Sequence, residues 1–390
     1  MIEVKAWFDN NLKGDPVIWV IVFALSILSI LVVYSATGTL AYNRMGGDTE
    51  HYLIKHTALV LLSFFAMWMA HKIDYRYYSR LSRFALWLSV PLLIFTWRYG
   101  VNINEASRWV TIPFINQAFQ PSDLAKFALI VSLASMLAKR QNNIRDIQNS
   151  LLPMLFWIGL ICGLIAMTDL SSAAMIFATC MLIMFIGRVP LKYLGMLVLI
   201  GGLVGATALA IGQRGETFYS RIESYVGSFS DDSKIPFQAE QSYIAIANGG
   251  FLRFAPGKSQ QKNFLPHPYS DFIYAIIIEE YGMLGGVVVL FLYLALLYRG
   301  MRLVTFSEKT YGGLLAAGLS FALVIQALIN MAVAVGLVPV TGLTLPLVSM
   351  GGTSQLFVGI AIGIILSVSR GELEEFGGTK SGNYAKEAEA

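Results

Sequence analysis

Charge is what this chain has least of. Asp, Glu, Lys and Arg make up 13% of its 390 residues, about half the share of a typical soluble domain, near 25%. That scarcity excludes an ordinary water-soluble fold. Cysteine is scarcer still, with only Cys162 and Cys180, both inside apolar stretches. No CxxC pair or Cys/His spacing exists to build a zinc or redox site, so both read as small packing residues. The four histidines, His51, His56, His71 and His267, have no metal-ligand spacing either, and the first three read as interfacial residues. The net charge of +4 sits in short basic clusters between apolar runs rather than on one stripe, which excludes nucleic-acid binding. No internal repeat is visible, which argues against an inverted-repeat transporter.

What remains is apolar. Hydrophobic residues make up 56% of the chain and mean hydropathy is +0.63. The first apolar run, Pro16 to Val33, is too long for the core of a cleaved signal peptide and reads as a first span. Crossing about 30 Å of hydrocarbon takes roughly 20 apolar residues. Runs that meet or approach this length lie at 16–38, 53–71, 80–97, 122–138, 151–168, 170–187, 191–212, 272–298, 312–336 and 355–369.

Basic residues orient these spans, because cytoplasmic loops keep an excess of Lys and Arg. With the N-terminus inside, the cytoplasmic segments hold 17 of them and the short outer loops hold three, Arg44, Arg98 and Arg108. The expected fold is therefore an all-α polytopic membrane protein of about ten transmembrane helices, with both termini cytoplasmic. Residues 1–370 form one domain and 371–390 a polar, disordered cytoplasmic tail. A long extracytoplasmic loop covers 213–270. The segment 339–354 (PVTGLTLPLVSMGGTS) has two prolines and three glycines but no charge. Such backbone is tolerated at membrane depth only inside protein or along a cavity, so it reads as re-entrant.

Ionisable groups in or beside spans are costly and mark function. They are Asp123, Lys126, Asp169, Asp271, Glu279 and Glu280. Asp123 and Lys126, three apart, share a helix face. They form either a neutralised structural pair or a site where Lys126 holds an anion. Asp169 precedes small residues and suits a helix N-cap. Asp271 suits a cap too, or a general base where the long loop enters a span. Glu279, eight residues on, is rotated by only about 80° from Asp271 and can share a cavity wall with it, two turns deeper, while Glu280 faces elsewhere.

Taken in order, Arg108-Trp109, QPSDLAK (120–126), Asp169-Leu170, Arg221, Gln238, Gln241-Ser242 and ANGG (247–250) form a pattern. It continues through Leu265-Pro266, Ser270-Asp271-Phe272, Glu279-Glu280, Asn330 and PVTGLTLPLVSMGGTS. This pattern resembles the SEDS family (shape, elongation, division and sporulation) of FtsW and RodA, over nearly the whole chain. The resemblance implies a peptidoglycan glycosyltransferase, an inverting enzyme that polymerises lipid II at the outer face of the bacterial cytoplasmic (inner) membrane. It implies a class B penicillin-binding protein as transpeptidase partner, alongside other divisome proteins. Asp271 would be the catalytic residue. Arg108, Lys126 and Arg221 would hold diphosphate, alone or with a divalent cation such as Mg or Mn. Gln238, Gln241, Ser242, Glu279, Ser349, Gly351 and Gly352 would line the substrate site, with Asp123 and Asp169 as structural ion pair and cap.

The chain departs from the family pattern at Asp123 (usually Glu), at Met167-Thr168 (usually Gln-Pro) and at Tyr269 (usually His). Thr344 and the GGTS ending resemble the division branch, FtsW, more than the elongation branch, RodA. A flippase for lipid-linked sugars is the alternative from another class.

Overall fold

The computed structural model describes residues 12–38, 49–103, 106–112, 117–211, 215–231, 235–307 and 309–388. Among them twelve α-helices follow one another. The first seven are α1 (Pro16–Ala36), α2 (Thr49–Lys72), α3 (Tyr75–Tyr99), α4 (Pro121–Lys139), α5 (Leu152–Ala166), α6 (Leu170–Ile186) and α7 (Leu191–Ile211). Then come α8 (Gly215–Gly227), α9 (Phe237–Gly249), α10 (Ile273–Phe306), α11 (Thr310–Ala334) and α12 (Ser354–Ala388). All ten apolar runs fall on helices. Seven of these are long and apolar enough to cross a membrane, and α6 and most of α7 are shorter apolar helices. Helix α3 has 25 residues but carries Arg76, Arg80, Arg83 and Arg98 at its ends. The outward faces present Val20, Ile27, Leu61, Phe84, Leu199, Leu203 and Phe291, a surface that water would not tolerate but lipid would. The chain is a multi-pass helical membrane protein.

Local chemistry sets the helix starts. Asp15 precedes Pro16 and accepts a hydrogen bond from Val17 N at 2.9 Å, which caps α1. The same carboxylate pairs with Arg299 on α10 and fastens the two helices together. Asp169 caps α6 through Ser172 N at 3.0 Å and Ser172 Oγ at 2.8 Å.

Helices α4, α11 and α12 are the most buried and form the centre of the bundle. Helix α12 lies against α2 at the distance of bare backbone. A Cβ on Gly359 would sit 2.5 Å from Ser63 O, and one on Gly363 would sit 2.3 Å from Met67 O. In lipid, where apolar burial drives little association, such small-residue contacts hold helices together. Gly363→Val is expected to force α2 and α12 apart and cost about 1–3 kcal/mol, read as a lower melting temperature in detergent.

Four features differ from the sequence expectation. First, residues 101–119 contain a small antiparallel sheet in the order β1-β2-β3, with β1 (Val101–Ile103), β2 (Ala106–Ile112) and β3 (Gln117–Phe119). Second, the long polar loop holds α8 and α9, and α9 packs on α10. Third, α12 continues past Arg370 to Ala388. Extending an anchored helix is far easier than nucleating one.

The fourth difference matters most. Helix α10 is broken at Gly282, whose φ of 72° and ψ of 177° are not helical. Met283 N donates to Gly250 O (2.9 Å) and Leu284 N to Phe251 O (3.3 Å), so the loop after α9 satisfies the freed backbone. A Cβ on Gly286 would lie 2.8 Å from Ile278 Cγ1 and 3.1 Å from the Tyr274 hydroxyl. In a straight helix residues 274 and 286 would be about 18 Å apart. The two arms, 273–281 and 283–306, therefore form a sharp elbow. The second arm alone, about 36 Å long, can span a bilayer.

Candidate active site

The elbow reverses the expected depth of the carboxylates. Glu280 meets Ser35 Oγ in the last turn of α1. The segment that holds Asp271 is tied to Ser29 through the Val348 carbonyl, at 2.7 Å. Ser29 lies six residues earlier on α1, about 9 Å nearer its middle. Asp271 is thus the deep end of the first arm, and Glu279 and Glu280 are the shallow end.

Asp271 does not cap α10. The N-cap is Phe272, which has no capping side chain. The backbone of Asp271, by contrast, is firmly held. Asn330 on α11 donates through Nδ2 to Asp271 O (2.8 Å) and to Leu343 O (2.7 Å). Ser349 Oγ donates to Ser270 O (2.6 Å) while accepting from Leu345 N (2.8 Å). Met350 N donates to Tyr269 O at 2.9 Å. The half-buried carboxylate accepts from Ser270 Oγ at 2.8 Å. A rigid backbone with an accessible carboxylate is what a general base needs. His267, beside it, directs Nδ1 to the Tyr269 hydroxyl at 3.2 Å.

Residues 339–353 contain no helix, and Leu343, Leu345, Leu347, Val348 and Ser349 are buried. The segment's carbonyls are taken up one by one. Arg221 on α8 donates to Val340 O (3.0 Å), and Gln326 on α11 donates to Thr344 O (2.9 Å). Non-helical backbone is stable here because protein supplies the partners that lipid cannot.

Two cavities adjoin this segment. One, of about 660 Å³, is lined by α5, α6, α7 and α11 together with Val338, Thr341 and Leu343, and is almost wholly apolar. Gly201, Gly202 and Gly205 of α7 form part of its wall. The other, of about 60 Å³, is lined by Asp123, Lys126, Thr179, Gln326 and Ser354. There Lys126 Nζ lies 3.1 Å from Asp123 Oδ1, with both side chains largely buried. The second oxygen, Asp123 Oδ2, is buried without a hydrogen-bond partner among the described residues.

The other expected site residues divide. Ser349, Arg221 and Lys126 flank the segment and its cavities, but the hydroxyl of Ser349 is fully occupied by backbone. Gln238 and Gln241 are half-buried on α9, and Ser242 donates to Ala334 O at 2.8 Å, a helix-to-helix tie. Gly352 has a φ of 58°, a turn conformation that a side chain would strain, and Gly351 adjoins Thr344. Arg108 lies on β2, and its side chain falls outside the described residues.

Glu279 is engaged elsewhere than in a substrate contact: its oxygens accept from Ser259 Oγ, Gln260 N (2.9 Å) and Gln261 N. It fastens the loop before the elbow. Glu279→Ala is expected to cost about 3 kcal/mol by stranding those donors, again read by thermal melting. Among the described residues no three His, Cys, Asp or Glu side chains converge as a metal site.

Sequence reasoning missed Ser29 and Tyr293, which donate to carbonyls of the segment 339–354, and His56, which bonds Ser29. His56 and His71 are buried rather than interfacial, at 0% and 1% exposed. A lone polar residue in an apolar run was the available signal.

Fold and site define a polytopic helical membrane protein with a half-buried carboxylate, Asp271, at the start of an elbowed helix, packed against a non-helical segment that borders an apolar cavity. The family profile described as cell cycle protein, spanning FtsW, RodA and SpoVE, matches residues 15–374. A probable peptidoglycan glycosyltransferase FtsW of Geobacter metallireducens is 33% identical over 371 residues, covering 93% of this chain and 97% of its own. The stage V sporulation protein E of Bacillus subtilis is 32% identical over 370 residues, covering 92% and 98%. The crystal structure of the rod shape determining protein RodA from Thermus thermophilus is 25% identical with a TM-score of 0.66, covering 93% and 98%. This chain belongs to the FtsW/RodA/SpoVE, or SEDS, family.

Proposed function

We propose that the chain is a peptidoglycan glycosyltransferase that polymerises lipid II at the outer face of the bacterial cytoplasmic membrane, in septal wall synthesis. The observation that carries this reading is Asp271: a half-buried carboxylate whose backbone is held by Asn330 and Ser349, packed against a segment that itself borders an apolar cavity at Thr341 and Leu343. Relatives named as probable peptidoglycan glycosyltransferases support the activity. Their FtsW names, with Thr344 and the GGTS ending, support the division branch. The Lys/Arg asymmetry supports about ten spans with both termini cytoplasmic.

In the reaction, a sugar hydroxyl of one chain attacks the anomeric carbon of another. Asp271 takes the hydroxyl proton as the new C–O bond forms. The bond to the lipid diphosphate breaks, and the diphosphate leaves with the electron pair. One base and a stabilised leaving group suffice for this inversion, without the second carboxylate of a hydrolase. Lys126, paired with Asp123, and Arg221, donating to Val340 O, would be the cations that offset diphosphate charge. Among the described residues no cluster of carboxylates converges to hold a divalent cation, so such an ion would be carried by the substrate diphosphate itself and would supply leaving-group stabilisation there.

A class B penicillin-binding protein is the proposed partner, within a larger divisome. A structural neighbour at TM-score 0.67 comes from a peptidoglycan synthase complex that coordinates polymerization and crosslinking. The test is purified chain, alone and with such a partner, incubated with lipid II. Glycan strands are expected, and lipid II left as monomer in both samples overturns the reading.

A further inference from the structure

The re-entrant segment contains a residue in an unfavourable backbone state. Leu347 has a φ of 66°, in the left-handed region that non-glycine residues rarely enter, and its side chain is buried. The carbonyls on both sides of it are gripped from different helices. Tyr293 on the second arm of α10, fully buried, donates its hydroxyl to Pro346 O. Ser29 on α1, also fully buried, donates to Val348 O at 2.7 Å.

Ser29 has one hydroxyl proton, and Val348 takes it. His56 on α2, with Nε2 at 2.8 Å from Ser29 Oγ, must therefore be the donor of that second bond. His56 orients Ser29, and Ser29 orients the segment. These side chains are fully buried, where each hydrogen bond is electrostatically stronger than in water.

The next residue, Ser349, carries the constraint onward. Its hydroxyl holds Ser270 O, and Met350 N holds Tyr269 O, immediately before Asp271. We infer that Ser29, oriented by His56, and Tyr293 are positioning residues: they clamp the strained turn at Leu347 and thereby set the location of the Asp271 carboxylate. None of the three needs to touch substrate. The inference rests on Asp271 being the base.

The test compares wild type with Ser29→Ala, Ser29→Thr, Tyr293→Phe and Asp271→Asn in the full chain with its transpeptidase partner. The first and third of these variants delete a single oxygen, so folding is retained, and melting curves check it. With lipid II as substrate, Ser29→Ala and Tyr293→Phe are each expected to lower kcat by about tenfold to a hundredfold, as small displacements of a catalytic group do. KM should stay within about twofold of wild type, because ground-state binding is untouched. Ser29→Thr, which keeps the hydroxyl, should recover most of the rate. Amide exchange over 267–273 and 343–350 should quicken in the Ser29→Ala and Tyr293→Phe variants and not in Ser29→Thr. Wild-type kcat in both Ser29→Ala and Tyr293→Phe overturns the inference, as does an equal loss in Ser29→Thr. If instead Asp271→Asn retained full activity, the assignment of the base would fall. The clamp would then stand or fall on the exchange measurement alone.

Discussion

Asp271→Asn is expected to leave a folded protein that makes essentially no glycan. The contacts that fix residue 271 run through its backbone: Asn330 to its carbonyl, and Ser349 to the carbonyl before it. The amide oxygen of asparagine can still accept from Ser270. Nothing in the packing is therefore lost, and melting should match wild type within about 0.5 kcal/mol. What is lost is the ability to take a proton. General-base catalysis contributes roughly 10²–10⁴ in rate, and a loss of about 10³-fold or more in kcat is expected, with lipid II binding kept. Single-turnover assays with pre-bound lipid II separate the two quantities.

Gly282→Ala is expected to have the opposite profile, a failure of folding rather than of chemistry. The φ and ψ at this residue lie in a region that only glycine occupies comfortably, which alone costs an alanine about 1–3 kcal/mol. A Cβ there would also lie 2.7 Å from Arg253 N and 2.9 Å from Phe251 O. Both are backbone atoms of the loop that fills the break, so they cannot move aside cheaply. A total of about 3 kcal/mol or more is expected, enough to deplete the folded form of a marginally stable protein. Gly195→Ala on α7, where a Cβ meets nothing within 4 Å, is the control and should be neutral. Comparison of melting temperature and folded yield in detergent checks both.

The apolar helices were legible because a bilayer imposes a minimum apolar length: all ten apolar runs fall on helices, seven of them long and apolar enough to cross a membrane. Asp271 stood out as a candidate for a related reason: a carboxylate at the edge of an apolar run is costly and has few bland explanations. The elbow was not. Glycine is common in membrane helices, and EEYGMLGG reads as an uninterrupted span, so nothing local revealed that Gly282 turns the chain. The error then propagated. With a straight helix assumed, Glu279 seemed to lie below Asp271 on the same wall, whereas the elbow carries it outward to the loop around Ser259. The sheet at 101–119 was hidden by its strands of three to seven residues. The grip of Ser29 and His56 on the re-entrant segment was hidden by distance. Ser29 and Val348 are 319 residues apart, and no periodicity in either stretch announces the pairing. Residues that hold a site through backbone contacts leave little trace in sequence beyond a polar group where an apolar one would serve.

The central claim is that the site performs glycosyl transfer rather than lipid movement. One preparation decides it: the chain and its transpeptidase partner in proteoliposomes supplied with labelled lipid II, read simultaneously for glycan length and for lipid II appearing on the opposite leaflet. Glycan strands are expected from wild type and none from Asp271→Asn, with no protein-dependent translocation in either. Translocation that persists in Asp271→Asn, with no polymer from wild type, would contradict the account.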